Sequence, residues 1–211
     1  MKTIGSVLLV GLAIAASAHA QNETHGLGVL GTLVKSNAEG DYKFAGASSF
    51  KHNGVRGHVL HFAQKLASDN SEVAQYQDVM MQGITSFEDD MKAKGFSNDI
   101  ASSFAFFTVV NVALAKTTDY KDYLLPNLVS QYRKALSSRQ IGTMSNAKKQ
   151  DLYDYMLAES VYLQTLASIG RDKNAESAAD TILKTSRSLL KETFGVPASD
   201  LSISESGVKI N

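Results

Sequence analysis

Residues 104–116 read FAFFTVVNVALAK, and this stretch limits the fold more than any other. With successive residues turned by ~100° on a helix, Ile100, Phe104, Phe107 and Leu114 lie to either side of Asn111. Phe106, Val109, Val110 and Ala113 cover the remaining faces. A helix that is apolar all round has to be enclosed, by other helices or by lipid. The run from Ile100 to Ala115 also contains Ser102, Ser103, Thr108 and Asn111. A membrane span needs ~20 residues with few polar groups, so lipid is excluded. The stretch is expected to be the central helix of a bundle, and the rest of the chain has to supply the helices around it.

Helical spacing supplies them. Val55, Val59, Phe62, Ala63 and Leu66 fall three and four apart, one face of a helix. Asp69-x-x-Glu72 has the form of a capping box before Val73, Tyr76, Met80 and Met81. Gly83 is expected to interrupt that helix before Ile84, Phe87 and Met91, with a stop at Gly95. Ser97 or Asn98 is suited to cap the central helix, which is expected to run to about Thr117. Pro126 fits the first turn of the next helix, which turns Leu128, Tyr132, Ala135 and Leu136 inward. A long helix capped by Ser145 follows to Gly170, and a last one carries Ile182, Leu183, Ser186, Leu189, Leu190 and Phe194. Its acids come early and its cations late, matching the macrodipole; Gly195 and Pro197 stop it. The final LSISESGVKI alternates around a Ser-Gly turn, read equally as a hairpin or an irregular tail. The expected fold is all-α: a single helical bundle of about six helices over 54–211, ending in a short C-terminal tail.

The first twenty residues, MKTIGSVLLVGLAIAASAHA, have the cationic start, apolar run and Ala-x-Ala end of a secretory signal peptide. The expectation is export, with cleavage near Ala20 and a periplasmic or extracellular mature chain. Residues 21–53, rich in Gly and small polar side chains, read as a flexible N-terminal arm. Loss of Lys2 leaves 20 basic against 21 acidic side chains. With no basic stripe, nucleic acid is not expected as a partner. The chain contains no cysteine, so its stability must come from a buried core.

The same lack of cysteine, with no nucleophile elbow and no phosphate-binding glycine loop, points away from an enzyme, and no cofactor is expected. His58 and His61, one helical turn apart, form a weak alternative metal site. They fall opposite Val59 with Lys65 between them, and a cation there opposes metal binding. Asp89 and Asp90 read as a solvated face. Glu159 is different, because it falls in the middle of the apolar face made by Leu152, Met156, Leu163 and Leu166. An ionised carboxylate there costs several kcal/mol, roughly, unless paired or protonated. Arg133 or a tyrosine hydroxyl would account for it structurally, whereas a polar pocket shared with Asn111 would make the two residues ligand-binding.

The order of these features resembles an uncharacterised bacterial family of exported, all-helical domains of unknown function. The residues that carry the resemblance are FAFFTVVNVALA, a Pro-started helix ending in YRKAL, KKQDLYDYMLAESVYLQTL, and the terminal FGVPASDLSISESGVKI, within about 53–208. The chain departs from that pattern in having no Trp. The resemblance implies an exported bundle and assigns no catalytic residue. The expected function is non-enzymatic interaction with an unknown protein or envelope component; the alternative is binding of a small molecule or ion by Glu159 and Asn111.

Overall fold

The computed structural model describes residues 46–211 apart from 55, 68, 120, 138 and 173–175. The expected signal peptide and most of the expected arm therefore lie outside the described residues. Among the described residues seven α-helices and one hairpin follow in chain order: α1 Gly57–Leu66, α2 Asn70–Ala93, α3 Ile100–Lys116, α4 Leu125–Ala135, the single turn α5 Arg139–Gly142, α6 Asn146–Asp172 and α7 Glu176–Phe194, then β1 Leu201–Ser204 and β2 Gly207–Ile210.

Helix starts follow local chemistry. The Asp69 carboxylate accepts from the backbone N–H groups of Ser71 and Glu72 at 2.8 and 2.9 Å, which satisfies two donors that the first turn of α2 leaves free. The cap of α3 is Asp99, not Ser97 or Asn98: its Oδ1 accepts from Ala101 N–H at 2.9 Å. Asn98 instead takes a left-handed backbone at φ 47°, as asparagine tolerates better than most residues. Pro126 lies in the first turn of α4. At its other end α3 stops on a left-handed Thr117, and Thr118 N–H reaches back to the Ala113 carbonyl at 2.9 Å.

α3 is buried on all sides from Ile100 to Ala113. It packs mainly on α6, α7 and α4. Phe104 lies against Tyr132 of α4 and Phe194 of α7, with ring centroids 4.4 and 5.8 Å away, and Phe106 meets Phe87 of α2 at 4.7 Å. Thr108 Oγ1 and the Tyr132 hydroxyl share a hydrogen bond at 2.9 Å. No helix among the described residues is long and apolar enough to cross a membrane.

Gly83 does not interrupt α2, which runs through it. A Cβ at that position would come within 2.3 Å of a Val161 methyl on α6. The glycine is there because two helices approach closely, a contact with no mark in local sequence. The C-terminal residues form the hairpin, pairing Leu201 with Ile210 and Ser204 with Gly207. Side chains hold it by its backbone. Lys116 Nζ donates to the Leu201 carbonyl at 2.5 Å, and the Asn127 amide donates to that of Glu205 at 3.0 Å. The Gln131 amide takes both groups of Val208, accepting from its N–H at 2.9 Å and donating to its carbonyl at 3.2 Å.

Candidate functional site

The structure brings Asn111 and Glu159 together between α3 and α6. Both are buried, at 0 % and 4 % exposure. Asn111 Nδ2 donates to the Phe107 carbonyl at 3.0 Å and, at 3.5 Å, to Glu159 Oε2. The first bond fixes the amide; the second is long for a hydrogen bond. Asn111 Oδ1 and Glu159 Oε1 are buried without a partner. Burial pushes the Glu159 carboxyl up to about 8, and the Asn111 amide only partly offsets it. At neutral pH this group is therefore mostly a neutral acid, because desolvation penalises its charge and no cation among the described residues accompanies it.

Arg133 is not the partner of Glu159. Its Nε donates to Asp99 Oδ2 at 2.5 Å, and its guanidinium lies 4.7 Å from the Phe96 ring centroid. Asp99 thus caps α3 with one oxygen and ties it to α4 with the other.

A second polar cluster escapes the sequence pattern. The Arg56 guanidinium, just before α1, donates to both Glu88 oxygens at 2.6 Å and to Asp154 Oδ1 at 2.5 Å. Asp154 Oδ2 accepts from Gln150 Nε2 at 3.4 Å, and Gln150 Oε1 accepts from Asn53 N–H at 3.0 Å. One arginine thereby joins the segment before α1 to α2 and α6. Burial raises the Asp154 carboxyl to about 6 even though Arg56 and Gln150 pull it down. His52 Nδ1 accepts from Gly54 N–H at 2.8 Å, which places the ring proton on Nε2, a buried atom without a partner. Burial and the Arg56 charge both lower its pKa.

The end of the expected arm is packed beside this cluster. Ala47, Ser48 and Phe50 are buried, and Phe50 sits edge-on to Tyr153 at 5.1 Å. Lys149 Nζ donates to the carbonyls of Ala47 and Ser49 at 2.5 and 3.2 Å, and Ser49 bridges to Asp99. On a wheel Asp154 falls opposite Leu152 and Met156, so it looks solvated. It is covered because α6 is buried all round from Tyr153 to Leu163. The four largely apolar residues after it, Tyr155 to Ala158, and the tyrosine before it were the available signal.

His61 is exposed on α1, and the His58 side chain lies outside the described residues. Among the described residues no group of three or more His, Cys, Asp or Glu is placed to hold a metal ion. Asp89 and Asp90 are exposed, and Asp90 pairs with Lys94 at 2.6 Å.

No curated protein matches the chain, and no solved structure does. A family model matches residues 35–211, which takes in both polar clusters and every helix described above. The chain belongs to that family, the family of unknown function DUF6683.

Proposed function

We propose that this chain is an exported bacterial interaction domain that performs no chemistry of its own and binds a protein or a component of the cell envelope. The observation that carries this reading is the use made of buried charge. Arg56, Asp99, Lys149 and Asp154 are each bonded to another segment of the same chain, so they serve architecture and are not aimed at a substrate. Export rests on the form of residues 1–20. Expression of the full chain in a bacterium, followed by fractionation and mass spectrometry, tests it. The expected product starts at Gln21 and lies outside the cytoplasm; an uncleaved cytoplasmic chain would overturn export. A photo-crosslinker at Tyr123, 64 % exposed, is expected to give one reproducible adduct in the envelope fraction, and a smear or no adduct counts against a specific partner.

A second reading is favoured by the unpartnered oxygens of Asn111 and Glu159: the pair belongs to an internal site for a small molecule or ion. A ligand specific to the folded state raises the unfolding midpoint. A thermal-shift panel of small molecules and ions is expected to contain a hit that Glu159→Gln abolishes; a panel without one removes this reading.

A further inference from the structure

Residues 46–54 contain no helix, yet they are fastened along their length. Phe50 N–H donates to the Asn98 carbonyl and Ile100 N–H to the Ser48 carbonyl, both at 3.0 Å. The segment therefore lies antiparallel to the residues that lead into α3. From the other side α6 holds it: Lys149 Nζ donates to the Ala47 and Ser49 carbonyls, Tyr153 meets the Phe50 ring, and Gln150 Oε1 accepts from Asn53 N–H. It forms a strap laid across the beginning of α3 and α6.

The end of the strap is closed by His52. Gly54, with a left-handed backbone at φ 80°, donates its N–H to His52 Nδ1 at 2.8 Å. A side chain that accepts from the backbone two residues on is the contact by which asparagine makes a turn. Nδ1 accepts only while it carries no proton, so the ring proton is on Nε2, a buried atom without a partner. A second proton has to go on Nδ1, where it points at the Gly54 N–H. Donor then faces donor, and the bond that closes the turn is lost. In water both ring N–H groups find acceptors.

The surrounding charges oppose that second proton. Burial and the Arg56 guanidinium hold the ring's pKa below its ordinary 6.5, and Glu88 of α2 pulls the other way with the smallest effect of the three. Both Glu88 oxygens are already bonded to Arg56. On α6, Tyr153 is kept neutral by burial, Asp154 is bonded to Arg56, and Lys149 is bonded to the strap's carbonyls. Asp99, opposite Ser49, is paired with Arg133. Lys51, next to His52 in the chain, is exposed.

We propose that residues 47–54 form an acid-released strap: protonation of His52 breaks the turn to Gly54 and frees the segment from α6 and from residues 98–100, while the helices stay folded. Opening uncovers the Asn98 carbonyl, the Ile100 N–H and the Tyr153 ring, a short backbone edge beside an aromatic surface. The sign follows from linkage. The fastened ring binds its second proton more weakly than the released one, so the fastened state is favoured above about pH 6.5 and loses ground as pH falls below it. The opening equilibrium changes by at most ~tenfold per pH unit. Asp154, raised to about 6, titrates in the same range, but it stays on α6 beside Arg56 whether the strap is fastened or free.

Amide hydrogen exchange on the purified chain, corrected for the intrinsic effect of pH, tests this with His52→Asn as the comparison. Asparagine keeps an acceptor for the Gly54 N–H and cannot be protonated. Between about pH 7.5 and pH 5 the Phe50 and Asn53 amides of the wild type are expected to lose several-fold more protection than those of His52→Asn. The amides of α3 should keep theirs in both chains. Asp154 titrates in both, so its effect drops out of the comparison. An equal loss in the two chains overturns the proposal, and so does a wild-type strap that stays protected at pH 5. Loss of protection in α3 in step with the strap overturns it too, because acid then unfolds the bundle instead of releasing a segment. An NMR titration of the wild-type imidazole serves if His52→Asn does not fold: a midpoint below 6.5 is expected, and one at or above 6.5 overturns the proposal.

Discussion

Asp154 and Glu159 lie little more than one turn apart on α6, both buried, at 1 % and 4 % exposure, yet they are in opposite electrostatic settings. Asp154 faces the Arg56 guanidinium and a glutamine amide. Glu159 faces a single amide at 3.5 Å. Burial raises both carboxyls, but only to about 6 beside the arginine and to about 8 without it. At neutral pH one is mostly an anion in an ion cluster and the other mostly a neutral acid. The difference shows that a buried carboxyl keeps its charge where the fold delivers a counterion, and keeps its proton where it does not.

The strongest way to break this contrast is Arg56→Ala, which strands Asp154 and Glu88 without their cation. Loss of one partner of a buried ion pair typically costs ~3–5 kcal/mol, and urea unfolding at neutral pH is expected to show a loss of that order. A loss below ~1 kcal/mol would mean that the cluster bears little on the fold. Gly83→Ala probes the helix that carries both carboxyls. Its methyl would meet Val161, and overpacking of this kind costs ~1–3 kcal/mol. The double variant Gly83→Ala with Val161→Ala should recover part of that loss; equal losses in single and double variants would place the strain elsewhere.

Glu159→Gln sharpens the other side. At about pH 6 it should cost less than ~1 kcal/mol, since a neutral amide replaces a neutral acid of the same shape. The sign with pH follows from linkage. The folded carboxyl titrates near 8, well above its unfolded range, so its contribution is present at low pH and lost as pH rises through that value. At constant ionic strength the wild type should lose up to ~1.4 kcal/mol per pH unit between about pH 7 and pH 8. Asp154, near 6, and His52, lowered from its ordinary value, have largely finished titrating by then. A slope that survives in Glu159→Gln would assign the titration to another group. The smallest effect belongs to Lys184→Ala, which breaks an exposed pair with Asp180; it should change stability by less than ~0.5 kcal/mol.

What could be read in the sequence was whatever local pattern determines. FAFFTVVNVALAK announced its own enclosure, and Asp69 announced a helix start. Asn111 and Glu159 were legible because each interrupts an apolar face, and the two do meet. Their other partners were not legible: Arg133, available in sequence, went to Asp99. The Arg56 cluster was hidden for a related reason. Its members come from positions 52–56, 88 and 150–154, and a wheel shows a residue's direction on its own helix, not which distant segment covers that direction. Gly83 was misread for want of the same knowledge, since the methyl group it makes room for lies on another helix.

The grip of Gln131 on Val208 has a consequence beyond holding the hairpin down. A short two-stranded ribbon normally offers unpaired backbone groups that a strand from another molecule can use as a template. Here a side-chain amide, which carries the same donor and acceptor as a peptide group, already occupies both groups of Val208. At that point β2 is closed to an incoming strand, so Gln131→Ala would reopen that edge while leaving the hairpin's own pairing intact.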